Sequence, residues 1–211
     1  MRSEQWKVLE RYAKDNMDKL GPHGWPHVKR VERLSMAISK LEKNNVDQEV
    51  LKAATLLHDV AKYIEKGGSS EDHGEAGAEM ARKLLRTISF DEEKINLVSH
   101  AIRVHTHREK PFSIEAKILH DADFLDKLGA VGLASIFIKA CLTDKTIEEV
   151  TEMYESENPK PSYVAKHVGW LKNQQFYTKT AKKIGKERNM IVSAFFKALR
   201  AEIELGDFSR G

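Results

Sequence analysis

Apolar residues recur every three to four positions along almost the whole chain, and no run alternates with period two over the length of a strand. Trp6, Leu9, Tyr12, Ala13, Met17 and Leu20 form a first stripe, and Val28, Val31, Leu34, Ile38 and Leu41 a second. Ala54, Leu57 and Ala61 follow, then Gly77, Ala81, Leu84, Leu85 and Ile88, then Ile95, Val98 and Ile102. Ile114, Ile118, Ala122 and Leu125 lead into the apolar run "LGAVGLASIFIKACL" (128–142), and Ala181, Ile184, Ile191, Ala194, Phe195 and Ile203 close the series. The breaks fall between the stripes: "GPHGWP" (21–26), "KGGSS" (66–70), Pro111 and "NPKPS" (158–162) cannot continue a helix. Asp47 and Asp91 stand where N-caps belong, and Thr146 with Glu149 spells a capping box. The pattern predicts an all-α chain of about eight to ten helices, read as one domain over residues 1–211 with a C-terminal helical part at about 140–205.

One stretch does not fit a plain core. "LLHDVAKY" (56–63) reads as the inside of a helix, yet it carries His58 and Asp59 among Leu56, Leu57, Val60 and Ala61. Burying an ionised carboxylate is costly unless something pairs with it, so this stretch borders a polar cleft or holds a cation. Adjacent side chains on a helix diverge by about 100°, and two such groups still converge on an ion lying beside the helix. His27, at the start of the second helix, and Asp121 or Asp123, in "ILHDADFLDKLG", supply further donors. Two imidazoles and two carboxylates suit a divalent ion such as Mn, Fe, Co, Ni, Zn or Mg, with open positions for water.

Composition and charge narrow the setting. A chain of 211 residues builds a core without a disulfide or a structural zinc, and the lone Cys141 excludes an intramolecular disulfide. The amphipathic "MRSEQWKVLERYAKDNMDKL" does not read as a signal peptide, and the longest apolar run is broken by Lys139; the expectation is a cytoplasmic protein with no membrane partner. The net charge of +3 hides an asymmetry: residues 166–200 hold nine Lys/Arg against Glu187 alone, so that segment carries +8 and the remainder −5. A solvated basic face is the plain reading, and an anionic ligand or nucleic acid the sharper one. Scattered aromatics (Trp170, Phe176, Tyr177) without a nucleic-acid motif do not favour the latter. The run "VGLASIFIKACL" serves equally as core or as the interface of a homodimer.

"HVKRV" (27–31), "LLHDVAKY" and "ILHDADFLDKLGAVG" together resemble the HD superfamily of metal-dependent phosphohydrolases, whose pattern is H…HD…D. "EDHGEAGAEMARKLL" (71–85), "AIRVHTH" (101–107), "EAKILHDADFLDKLGAVGLA" (115–134) and "TKTAKKIGKERN" (178–189) are similar to its stand-alone bacterial and archaeal branch, with the superfamily's core at about 23–135. The resemblance implies an all-α fold with a metal held between helices by His27, His58, Asp59 and Asp123, Asp121 competing for the last place. It implies catalytic roles for Asp59, Lys62 and His73, and phosphate contacts from Lys62, His73, His105 and Lys127, with Arg103 and Lys182 as weaker candidates. His73 and His105 also resemble the extra ligands of two-metal members. His100, His107, His120 and His167 are read as ordinary histidines. Where the branch has Arg after the last aspartate, this chain has Phe124. The implied activity is cleavage of a phosphate ester or anhydride, most plausibly of a nucleotide, by a metal-activated water. The alternatives are a two-metal phosphodiesterase for cyclic or linear dinucleotides and a non-catalytic nucleotide- or nucleic-acid-binding module.

Overall fold

The computed structural model describes residues 2–17, 21–42, 45–63, 73–105, 109–172, 174–206 and 208. "KGGSS" and His107 lie outside them. The described residues form ten α-helices and no strand. These are α1 (Ser3–Met17), α2 (Trp25–Leu41), α3 (Gln48–Leu57), α4 (His73–Thr87), α5 (Glu92–Val104), α6 (Ile114–Asp126), α7 (Gly129–Cys141), α8 (Ile147–Glu155), α9 (Tyr163–Lys172) and α10 (Lys179–Ile203), with a 3-10 turn at Gly21–His23. No described helix is long and apolar enough to cross a membrane.

The helix starts follow the local chemistry. The Asp47 carboxylate accepts hydrogen bonds from the Glu49 and Val50 amides, and Asp91 caps Lys94. Thr146 and Glu149 close both halves of the capping box. Pro26 sits at the start of α2, where a missing N–H costs nothing.

The chain divides into two compact units, Met1–Asp123 with Tyr177–Ala181, and Phe124–Phe176 with Lys182–Gly211. In the first, α1, α2 and α5 pack around α3, whose apolar face is wholly buried, and α4 packs on α5. Leu9, Val31, Ile38, Leu51, Leu57, Leu85, Ile102 and Ile118 are sealed from solvent there, and burying each such side chain contributes about 1.5–3 kcal/mol. Glu115, at the start of α6, accepts a hydrogen bond from the Asp47 amide and so ties α6 to the start of α3. In the second unit Leu133, Ile136, Val150, Val168, Leu171, Val192 and Phe196 form the core, with Tyr154 stacked on Phe196 at 3.9 Å between centroids. The run at 128–142 is divided: Leu133, Ile136 and Ala140 face this core, whereas Val131, Ile138 and Leu142 are exposed.

The expectation that His58 and Asp59 lie inside a helix is corrected. α3 ends at Leu57 with His58 as its C-cap, and residues 58–61 form a tight turn. Its hydrogen bonds run from Val60 N to Leu57 O (3.2 Å) and from Lys62 N to Asp59 O (2.9 Å), the closer i to i+3 spacing of a frayed helix end.

Candidate metal centre

Five segments of the first unit deliver titratable side chains to one buried place: His27 from α2, His58 and Asp59 from the turn after α3, His73 from the start of α4, His105 from the end of α5, and Asp123 from α6. All are at most 9% exposed.

The two C-terminal histidines share a device. His58 caps α3 and places Nδ1 2.8 Å from the Thr55 carbonyl; His105 caps α5 and places Nδ1 2.5 Å from the Ile102 carbonyl. The last carbonyls of a helix lack intrahelical partners, and an imidazole N–H three residues on satisfies one of them. That hydrogen bond takes the Nδ1 proton of each ring and turns Nε2 inward.

Both Nε2 atoms face other ligand-type atoms. His58 Nε2 lies 3.4 Å from His27 Nε2, and His105 Nε2 lies 3.3 Å from Asp59 Oδ1. Asp123 Oδ1 is 3.2 Å from His27 Nε2 and 3.8 Å from His58 Nε2. Asp59 turns Oδ2 toward His27 (3.8 Å) and His58 (3.7 Å), and Oδ1 toward His105 and His73 (3.6 Å). Ring nitrogens and carboxylate oxygens therefore converge in one buried place, an arrangement that protons or a cation make favourable. Protons are a poor answer at neutral pH: burial pushes His58 down to about 4, although Asp59 and Asp123 pull the other way. Burial alone would raise the Asp59 carboxyl; His58, the hydrogen bond to His105 and the Lys62 ammonium together hold it well below the usual carboxylate range. An anionic, imidazole-rich pocket results, and its donors fit a divalent ion. Two sets have ligand atoms within 4.8 Å of one another: His27, His58 and Asp123, and Asp59, His73 and His105.

A third such set contains His23, which the sequence reading did not single out. It joins His27 and Asp59, with its ring 5.7 Å from that of His27. The only signal was a histidine inside "GPHGWP", read there solely as a helix breaker.

The other expected residues divide as follows. Lys62 Nζ lies 3.2 Å from His73 Nε2, beside the cluster. Asp121 is turned away, since it follows a helix that rotates about 200° between positions 121 and 123. Its carboxylate accepts hydrogen bonds from Tyr177 N (2.9 Å), Thr178 N (2.7 Å) and Thr178 Oγ1 (2.7 Å), just before α10. His120 packs edge-on to Tyr177, and His167 lies between Tyr163 and Trp170. Lys127 and Phe124 belong to the second unit, where the Lys127 ammonium sits 4.9 Å from the Phe124 ring centroid and 5.2 Å from that of Trp170. Arg103 pairs with Glu109 at 3.2 Å, and Lys182 is exposed on α10.

Comparison with known proteins identifies the family. The HD domain profile matches residues 24–128. YpgQ of Bacillus subtilis is 27% identical over 192 residues, covering 88% of this chain and 87% of that protein. Its crystal structure in complex with ADP superposes with a TM-score of 0.63 at 22% identity, covering 94% of this chain and 96% of the other. A predicted HD superfamily hydrolase from an uncultured Thermotogales bacterium is 30% identical, with a TM-score of 0.63 and coverage of 94% and 91%. The 3'-5' exoribonuclease YhaM of Listeria welshimeri is 27% identical over 170 residues, 73% of this chain but 48% of that protein, so the chain spans about half its length. With the all-helical fold, the profile match and the imidazole–carboxylate cluster taken together, the chain belongs to the HD superfamily of hydrolases.

Proposed function

We propose that the protein is a metal-dependent phosphohydrolase that cleaves a phosphate ester or anhydride of a nucleotide. The observation that carries this is the convergence of ring nitrogens and carboxylate oxygens from His27, His58, Asp59 and Asp123, a donor set suited to a divalent ion. The ADP complex of YpgQ supports a nucleotide as the substrate class. A divalent ion held by these four residues would lower the pKa of a bound water from 15.7 toward about 7 and make hydroxide available at neutral pH.

The chain's own groups complete the chemistry. Lys62, next to Asp59 and 3.2 Å from His73, supplies positive charge for phosphoryl oxygens in a site that lacks a glycine-rich phosphate loop. His73, at the cluster's edge and 9% exposed, is placed to hand a proton to the leaving oxygen. His105 orients Asp59 through the 3.3 Å contact.

A second reading rests on its own observation. The two oxygens of Asp59 face different histidine pairs, His27 with His58 and His73 with His105. A carboxylate so placed suits a bridge between two ions, which is the arrangement of a dinucleotide phosphodiesterase with His73 and His105 as ligands.

The test is hydrolysis of a panel of nucleoside mono-, di- and triphosphates, cyclic dinucleotides and short RNA, with Mn, Fe, Co, Ni, Zn or Mg added in turn. The expected result is turnover of nucleotides that falls at least about a thousandfold in Asp59→Ala at unchanged circular dichroism. Full activity in Asp59→Ala would refute the assignment. Metal analysis decides between the readings: one equivalent per chain supports the first, and two support the bridged centre.

A further inference from the structure

We propose that a cavity in the first unit, lined by α4, α5 and Phe112, is a binding site for a phosphate-sized oxyanion. It shares no residue with the Asp59 cluster.

The cavity has a volume of about 190 Å³. Among the described residues, three of its side chains have buried polar atoms without a hydrogen-bond partner: Ser99 Oγ, His100 Nδ1 and Arg103 Nε. Ser99 is 3% exposed and His100 8%. Buried polar groups in folded proteins are rarely left unsatisfied, and three in one cavity point to an occupant.

The occupant must accept hydrogen bonds. The Phe112 amide approaches His100 Nε2 at 3.4 Å, so Nε2 is an acceptor and the proton of the neutral ring is on Nδ1. The ring is fixed by stacking on Phe112, with centroids 3.7 Å apart. Burial and the neighbouring Arg103 charge both lower the His100 pKa, which keeps the ring in this one-proton form. Arg103 Nε–H is a donor by nature, and the Ser99 hydroxyl can donate. Three donor-capable atoms that hydrogen-bond to none of the described residues thus line the space.

The occupant must also suit the charges. Arg82 and Arg103 bring two guanidinium groups. Arg82 is held by Asn96 at 2.7 Å, and Arg103 keeps Nε unused while its Nη2 contacts Glu109. Glu75 and Glu79 lie on the exposed side of α4, and Glu79 is offset by Lys83 at 3.5 Å and Arg82 at 3.9 Å. The buried part of the lining, Ser99, His100 and the Arg103 Nε, is donor-rich, while the guanidinium ends and the two glutamates stand nearer solvent. Pockets for drug-sized ligands occupy about 300–1,000 Å³, so this space admits an inorganic oxyanion rather than a nucleoside. Because α5 ends at His105, an anion seated here rests on the helix that presents that imidazole to Asp59.

The experiment titrates inorganic phosphate, and separately sulfate, into the chelator-treated full-length protein, so that no ion in the Asp59 cluster captures the anion. Calorimetry gives the affinity, and the Arg103 Nε–H resonance, assigned by its disappearance in Arg103→Lys, reports the location. The expected result is one saturable equivalent, a shift of that resonance, and affinity about tenfold weaker in both Ser99→Ala and Arg103→Lys. Ser99→Ala leaves charge and helix intact, so it decides alone if Arg103→Lys does not fold. Absence of saturable binding, an unmoved Arg103 resonance, or unchanged affinity in Ser99→Ala would overturn the proposal.

Discussion

Asp121 and Asp123 are two residues apart on one helix, both buried, and they live in opposite electrostatic worlds. Asp121 is surrounded by donors: two backbone amides and a hydroxyl point at its oxygens, and the His120 ring lies 3.2 Å away. Asp123 is surrounded by imidazole nitrogens, of which the His58 ring has its proton engaged by a backbone carbonyl on the far side. A buried carboxylate with its complement of N–H and O–H donors is complete as it stands and serves the fold. A buried carboxylate faced by ring nitrogens belongs to a set of groups that suits a cation. The distinction lies in the sign of the neighbours' dipoles, not in depth, since neither residue is more than 1% exposed.

The contrast is broken most severely by exchanging the roles. Asp123→Asn is expected to weaken divalent-ion binding at least about a hundredfold, read by calorimetry, while leaving the unfolding of the ion-free protein nearly unchanged. Asp121→Ala is expected to do the reverse, removing about 3–5 kcal/mol of stability in urea unfolding because several buried donors lose their acceptor. Equal effects of the two substitutions on ion affinity would abolish the distinction.

Acid should sharpen it next. The ordinary histidine value is 6.5, and burial brings His58 to about 4. The unfolded chain therefore binds this proton more readily, so the stability His58 supports is complete above pH 6.5 and is lost as pH falls toward 4. The loss is on the order of 3 kcal/mol for a shift of about 2.5 units. Unfolding of the ion-free protein across pH 7 to 4 measures it, and His58→Gln should flatten that slope. The smallest effect is expected from Thr178→Val, which removes a single donor from Asp121 and should cost about 1–2 kcal/mol with no change in ion affinity.

The same contrast marks how far the sequence could be read. Helical periodicity and the caps at Asp47, Asp91 and Thr146 placed the helix starts, because those features depend on residues within a turn of one another. His58 and Asp59 stand out because charged or basic groups in apolar stripes are expensive to bury, whereas His27 and Asp123 as their companions follow from the resemblance to the H…HD…D pattern. The end of α3 at Leu57 did not stand out: Val60 and Ala61 continue the apolar pattern, and only packing tightens the turn that aims His58. His23 went unnoticed because a histidine beside Gly and Pro looks like loop sequence until the turn at 21–23 is folded against His27.

The linear chain by itself determined an all-helical fold and a supply of imidazoles and carboxylates set among apolar residues, since both follow from residue type and local spacing. Tertiary structure alone decided which nitrogen of each ring faces inward, which of two neighbouring aspartates is spent on α10, and that Ser99, His100 and Arg103 share a cavity. Those outcomes rest on contacts between residues up to 57 positions apart, as between Asp121 and Thr178, and a hydrogen bond acquires its sign only when its partner has arrived.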